Sequence, residues 1–132
     1  MIEVQHLTRR YGNFTAVDDV SFRVETGEIL GFLGPNGAGK TTTMRVLTGF
    51  MPATEGKAVV AGYDVFEQPL GAKRRTGYLP VAPPLYPDMT PAGYLRYVGR
   101  VRNLPGAELK SALERVAADC GLEEVWSKPI RK

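Results

Sequence analysis

The sequence predicts an α/β fold with an antiparallel β part at the N-terminus and helices towards the C-terminus. Three observations carry that prediction. The segment Ile2–Leu7 begins with alternating apolar and polar residues, and the alternation returns from Val20 to Val24. A continuous apolar run, Ile29-Leu30-Gly31-Phe32-Leu33, leads into a glycine-rich segment and then into helical spacing. Thr90-Pro91 opens two further stretches with apolar residues at helical intervals.

Composition bounds the rest. The chain has 132 residues, 43% hydrophobic and 23% charged, enough for one globular domain and unlike a disordered chain. A single cysteine excludes an intrachain disulfide, no Cys or His pair has zinc-ligand spacing, and the expected compartment is the cytosol. The longest apolar run is far short of the ~20 residues that cross a bilayer. The N-terminus has no basic segment followed by an apolar core, so no secretory leader is expected. A net charge of +3, with 17 basic residues against 14 acidic ones spread along the chain, gives no reason to expect a nucleic-acid partner.

Taken in order, Ile2–Leu7 reads as a half-buried strand, and Arg10-Tyr11-Gly12-Asn13-Phe14 as a turn into a second strand that ends at Thr26-Gly27. Ile29–Leu33 reads as a strand buried on both faces. Met44, Val46 and Leu47 fall at helical spacing after Thr41, and Gly49 marks the stop. Ala58–Val60 is a short strand, Pro69–Arg75 a brief basic helix and Thr76–Leu79 another short strand. The proline cluster from Pro80 to Pro87 excludes regular structure, because each proline removes a donor and restricts its predecessor. Thr90 is an N-cap with Pro91 at the first helical position. That helix carries Tyr94, Leu95, Val98 and Val101 on one face. The next, from about Ala107, carries Leu109, Leu113, Val116, Ala117 and Cys120 and closes at Gly121. Cys120 is expected in the core, Lys73-Arg74-Arg75 on a solvated face, and Trp126 in packing rather than at an interface.

The chemistry is concentrated in Gly34-Pro35-Asn36-Gly37-Ala38-Gly39-Lys40-Thr41, which matches G-x-x-x-x-G-K-[ST] at every fixed position between an apolar run and a helix. Glycines let successive backbone N–H groups turn towards phosphate oxygens, and the following helix points its positive end at the same charge. Lys40 is placed to bridge the β- and γ-phosphates, and the Thr41 hydroxyl to ligate Mg²⁺. This P-loop predicts a P-loop NTPase core holding a nucleoside triphosphate.

With these residues the chain resembles the ATP-binding subunit of an ATP-binding-cassette (ABC) transporter, of the bacterial exporter kind. The resemblance rests on Gly34–Thr43 together with Val17-Asp18-Asp19-Val20-Ser21-Phe22, Gly27-Glu28-Ile29-Leu30-Gly31, and Gly77-Tyr78-Leu79-Pro80 followed by Pro83–Thr90. It covers all 132 residues. It implies the N-terminal portion of one ATP-binding domain, with a nucleotide-binding core over about 1–89 and a partial α-helical subdomain over about 90–132. It implies that Tyr11 stacks on adenine, and that Gly34, Asn36, Gly37, Gly39, Lys40, Thr41 and Thr42 contact phosphate and Mg²⁺. It further implies ATP with Mg²⁺ as ligand, transmembrane permease subunits and a second ATP-binding subunit as partners, and a cytoplasmic position on the inner face of the membrane.

Two departures from the family pattern stand out. A glutamine or glutamate that touches Mg²⁺ or the attacking water follows Gly-Tyr-Leu-Pro in the family, whereas Val81 stands here. The family's signature sequence, Mg²⁺-orienting aspartate, catalytic glutamate and switch histidine would fall beyond Lys132. Neither His6 nor Glu123-Glu124 substitutes for them. Hydrolysis is therefore expected of the complete family protein and not of these 132 residues alone. The rival readings are another P-loop NTPase or kinase, and a non-catalytic module that binds nucleotide or a partner.

Overall fold

The computed structural model describes residues 1–131 and divides into two compact units, Met1–Leu79 and the chain from Pro80 onward. In the first unit, β1 (Ile2–Tyr11) and β2 (Phe14–Val24) form a hairpin, and β3 (Glu55–Val60) and β4 (Tyr63–Asp64) complete an antiparallel sheet in the order β2-β1-β3-β4. Helix α1 (Lys40–Leu47) lies between β2 and β3 in sequence, and α2 (Pro69–Arg74) follows β4.

The register of β1 explains how Val4 and Leu7 share one core. Three positions apart, they would face opposite sides of a regular strand. The ladder shifts between the pairs Val4↔Phe22 and Leu7↔Val20, and His6 and Asp19 take positive φ values of 50° and 46° at that irregularity. Val4 and Leu7 therefore both pack with Val46 and Leu47 of α1, Ala58 and Val60 of β3, and Val65 and Ala72. Burial of each large aliphatic side chain here contributes about 1.5–3 kcal/mol.

Two sequence expectations fail in this unit. Ile29–Leu33 is not a strand, and Ile29 and Leu33 are 97% and 93% exposed. Thr76–Leu79 is likewise irregular, and Leu79 is exposed. A strand exists only by pairing, and the only sheet among the described residues is the antiparallel one, whose members are β1 to β4. An apolar run that needs neighbours on both edges stays irregular without them. Lys73, Arg74 and Arg75 are exposed, as expected of a solvated face.

The second unit holds α3 (Pro91–Val101), α4 (Gly106–Asp119) and a short 3₁₀ turn, Glu123–Val125. Thr90 caps α3 as the sequence predicts, its Oγ1 accepting from the Gly93 amide at 3.1 Å, with Pro91 at the first position. The Ala92 amide, another of the first-turn donors, reaches the Trp126 carbonyl at 3.2 Å and so ties the tail to the start of α3. The α3 and α4 helices touch at Gly99, which is buried and where a side chain would meet Leu109. Of the predicted faces, Tyr94, Leu95, Val98, Leu109, Leu113, Val116 and Ala117 are half-buried, but Val101 and Cys120 are exposed. Cys120 is a correction: it is the C-cap of α4, where the helix turns off through Gly121 at φ 60°, and the stripe ends one turn before it. No helix among the described residues is long and apolar enough to cross a membrane.

Candidate functional site

The segment from Gly34 to Thr42 forms a tight loop that becomes the first turn of α1. Gly39 is its N-cap, in the left-handed region at φ 82°, and is buried against β2. A methyl group at Gly39 would run into the Ala16 carbonyl oxygen, so both the conformation and the close approach require glycine. Gly37 has φ 86°. The Gly39 carbonyl accepts from the amide of Thr43 at 2.8 Å and from its Oγ1 at 3.0 Å, which fastens the loop to the buried side of the helix.

The other side of that turn is electrostatically unfinished. No side chain caps α1, and its first turn has no acidic residue. The amides of Lys40, Thr41 and Thr42 thus have no intrahelical acceptor, and the positive end of the helix is not balanced locally. Lys40 turns its Nζ back onto the carbonyl oxygens of Gly34 and Pro35, at 2.6 and 2.7 Å. Amide donors gathered in this way beside one ammonium suit an anion with several oxygens.

Beside the loop, the β1–β2 hairpin contributes Tyr11, Phe14 and Ala16. These residues, with Asn36, Gly37 and Gly39 to Thr42, line one cleft of about 300 Å³. Among its lining residues none is an aspartate or glutamate. Seven of the eight predicted nucleotide-site residues lie here. The eighth, Gly34, holds Lys40 through its carbonyl. Two larger hollows, of about 470 and 440 Å³, lie in the helical unit; neither includes a glycine loop, and the one that borders the first turn of α4 has the acidic Glu108 there. Val81 belongs to the second unit and is 99% exposed.

Tyr11 and Phe14 face each other across the hairpin and are 44% and 62% exposed. The Tyr11 hydroxyl lies 3.1 Å from the Met51 sulfur, and the guanidinium of Arg9 sits 4.7 Å from the ring centre. Both aromatics line the cleft, and the sequence singles out Tyr11 but not Phe14. The available signal was the hairpin itself: a two-residue Gly12-Asn13 turn places the flanking aromatics in register, so Phe14 shares the position of Tyr11.

The family profile described as ABC transporter matches residues 17–132. The chain is 38% identical to the probable multidrug ABC transporter ATP-binding protein YbhF of Escherichia coli (strain K12), over 96% of this chain and 22% of that protein. It is 36% identical to the Nod factor export ATP-binding protein I of Ralstonia nicotianae, over 99% of this chain and 41% of that protein. A solved structure described as the ATP binding subunit of an ABC transporter superposes with a TM-score of 0.83 at 31% identity, covering 98% of this chain and 54% of the other. The chain spans about half or less of the length of each of these proteins.

Proposed function

This chain belongs to the ABC transporter family, in its ATP-binding part, and from that premise we propose that the cleft between the Tyr11–Phe14 hairpin and the Gly34–Thr42 loop is its ATP site. The observation that carries the reading is the shared lining. Two aromatics from one hairpin and the amides of an uncapped helix start line one and the same cleft. A base fits the aromatics and a triphosphate the amides.

Each residue then has a defined task. Tyr11 stacks on the base. Gly37, Gly39, Lys40, Thr41 and Thr42 offer backbone amides to phosphate, Asn36 lines the mouth, and Gly34 supports Lys40. The Lys40 ammonium exchanges its two carbonyl partners for phosphate oxygens, replacing neutral acceptors by anionic ones.

Mg²⁺ fits this site as a companion of the phosphates. The described residues contain no group of three His, Cys, Asp or Glu side chains able to hold a metal, but Thr41, whose hydroxyl is a neutral oxygen donor for Mg²⁺, lines the cleft. A bound Mg²⁺ would neutralise phosphate charge, and Thr41 would hold it from the protein side.

In the whole protein, ATP hydrolysis would power transport, of the export kind for which the Ralstonia nicotianae relative is named. Permease subunits and a second ATP-binding subunit would be its partners, on the cytoplasmic face of the membrane. With no carboxylate in the cleft, the general base would come from outside these residues. Titration calorimetry of the chain with Mg-ATP, Mg-ADP and tripolyphosphate tests the site. Saturable binding of all three, tightest for ATP, is expected; no binding of any would refute it.

A further inference from the structure

Beside the cleft lies a cation with no polar partner for its inner nitrogen. Arg9 Nε is buried without a hydrogen bond among the described residues, and the guanidinium rests 4.7 Å from the centre of the Tyr11 ring. Leaving a buried donor unpaired is costly. The electron-rich ring face offsets part of that cost, because a guanidinium is attracted to the negative face of an aromatic quadrupole. The neighbouring side chains are otherwise engaged. Arg10 pairs with Glu55 while its amide donates to Thr54 Oγ1 at 3.0 Å, and the Tyr11 hydroxyl donates to Met51 Sδ. The Tyr11 ring is therefore held at its hydroxyl end and covered on one face.

We propose that Arg9 is a positioning residue for the nucleotide base, acting through Tyr11. The inference rests on the cleft being the ATP site. With the guanidinium on one face, the ring offers only the opposite face to a base. The cation also draws π density away from that open face, which favours an electron-rich purine stacked upon it. Arg9 is not among the residues lining the cleft, so its influence on the ligand passes through the ring and not through the phosphates.

The test is titration calorimetry of the chain and its Arg9→Met, Arg9→Lys, Tyr11→Ala and Arg9→Met/Tyr11→Ala variants with ATP, ADP and tripolyphosphate. Arg9→Met is expected to weaken ATP and ADP about three- to tenfold and to leave tripolyphosphate unchanged. Arg9→Lys, which keeps the cation, should stay within about threefold of the unsubstituted chain. In the Tyr11→Ala background, Arg9→Met should add no further loss. Equal loss for tripolyphosphate, or a full ATP effect without Tyr11, would overturn the inference. Failure of the unsubstituted chain to bind ATP would overturn the ATP-site reading, whereas ATP binding that ignores Arg9→Met overturns this inference alone. NMR of the ligand-free chain provides a readout if Arg9→Met does not fold: the Arg9 Nε proton should be shifted upfield by the Tyr11 ring and lose that shift in Tyr11→Ala. A resonance that ignores Tyr11→Ala would refute the stack.

Discussion

The Lys40 ammonium is bound to the carbonyl oxygen of Gly34, six residues earlier in the same loop, at 2.6 Å. With a second bond to Pro35 at 2.7 Å, the side chain closes the loop on itself. A lysine held in this way is already partly desolvated and oriented, so a triphosphate displaces two neutral acceptors and does not have to order a free chain.

Replacing Lys40 should therefore act on both loop and ligand. Lys40→Ala removes charge-assisted bonds of roughly 1.5–3 kcal/mol each, and Mg-ATP affinity should fall at least about tenfold. Lys40→Arg should fall between the two, since its longer planar head does not fit two convergent carbonyls equally well. Equal ATP affinity for Lys40→Ala and the unsubstituted chain, by calorimetry, would remove the loop from the site.

Gly39 gives a structural counterpart. Alanine there must adopt a left-handed φ, at about 1–2 kcal/mol, and must also push against the Ala16 carbonyl. Gly39→Ala should lower stability by more than about 2 kcal/mol and weaken ATP and tripolyphosphate together. Gly12→Ala, also at positive φ but with open space around it, should cost only about 1–2 kcal/mol. A similar loss of denaturation midpoint for both variants would show that backbone conformation alone, without the contact to β2, sets the cost at Gly39.

The aromatic wall should show base dependence. Tyr11→Ala ought to weaken ATP and ADP by about 1–3 kcal/mol and leave tripolyphosphate unaffected, by analogy with stacking on nucleic-acid bases. Tyr11→Trp should be tolerated. Phe14 lines the same cleft and is the more exposed of the two, so Phe14→Ala should have a smaller effect of the same kind, under about 1 kcal/mol. Loss of tripolyphosphate binding in either variant would signal damage to the fold instead.

The glycine loop, Tyr11 and the Thr90 cap were legible in the sequence because each depends on local chemistry: a required φ, a fixed spacing, one side-chain bond. Ile29–Leu33 and Thr76–Leu79 were misread because a strand is a relation between segments, and apolar character in one segment does not supply the neighbour it must pair with. The placement of Phe14 and Arg9 beside Tyr11 is not legible for a related reason: it comes from the hairpin register, and the bulge at His6 alters the alternation from which such facing is inferred.

Asp64, at the end of β4, links the turn that follows it to pH. Burial would raise its pKa, but the amides of Glu67 and Phe66, at 3.0 and 2.8 Å, and the ammonium of Lys57 outweigh it and hold the carboxyl below its ordinary value. A carboxylate with a folded-state pKa below its unfolded one adds stability above the unfolded value of about 3.9 and loses it as pH falls through the folded one. Asp64→Asn should thus lower stability at neutral pH, with the gap closing as pH falls below about 4. Urea denaturation showing the same gap at pH 7 and pH 3 would contradict the carboxylate's role.

Val81 most separates this chain from the family pattern, and the structure leaves it 99% exposed in the irregular segment after Leu79. An exposed valine makes little packing contribution, so Val81→Gln and Val81→Glu should change stability by less than about 0.5 kcal/mol. ATP affinity should also hold within about threefold, under ~0.7 kcal/mol, because the loop amides, Lys40 and Thr41 supply the phosphate and metal contacts. Turnover is where the substitution should be felt. An amide or carboxylate oxygen at this position offers a ligand to Mg²⁺ or a partner to the attacking water, whereas valine offers only methyl groups. In a full-length ABC subunit carrying these residues and assembled with its permease, both variants are expected to raise transport-coupled ATPase activity with little change in the KM for ATP. If coupled turnover stays unchanged in both, another residue of the segment fills the role and the alignment of Val81 with the family's glutamine is displaced.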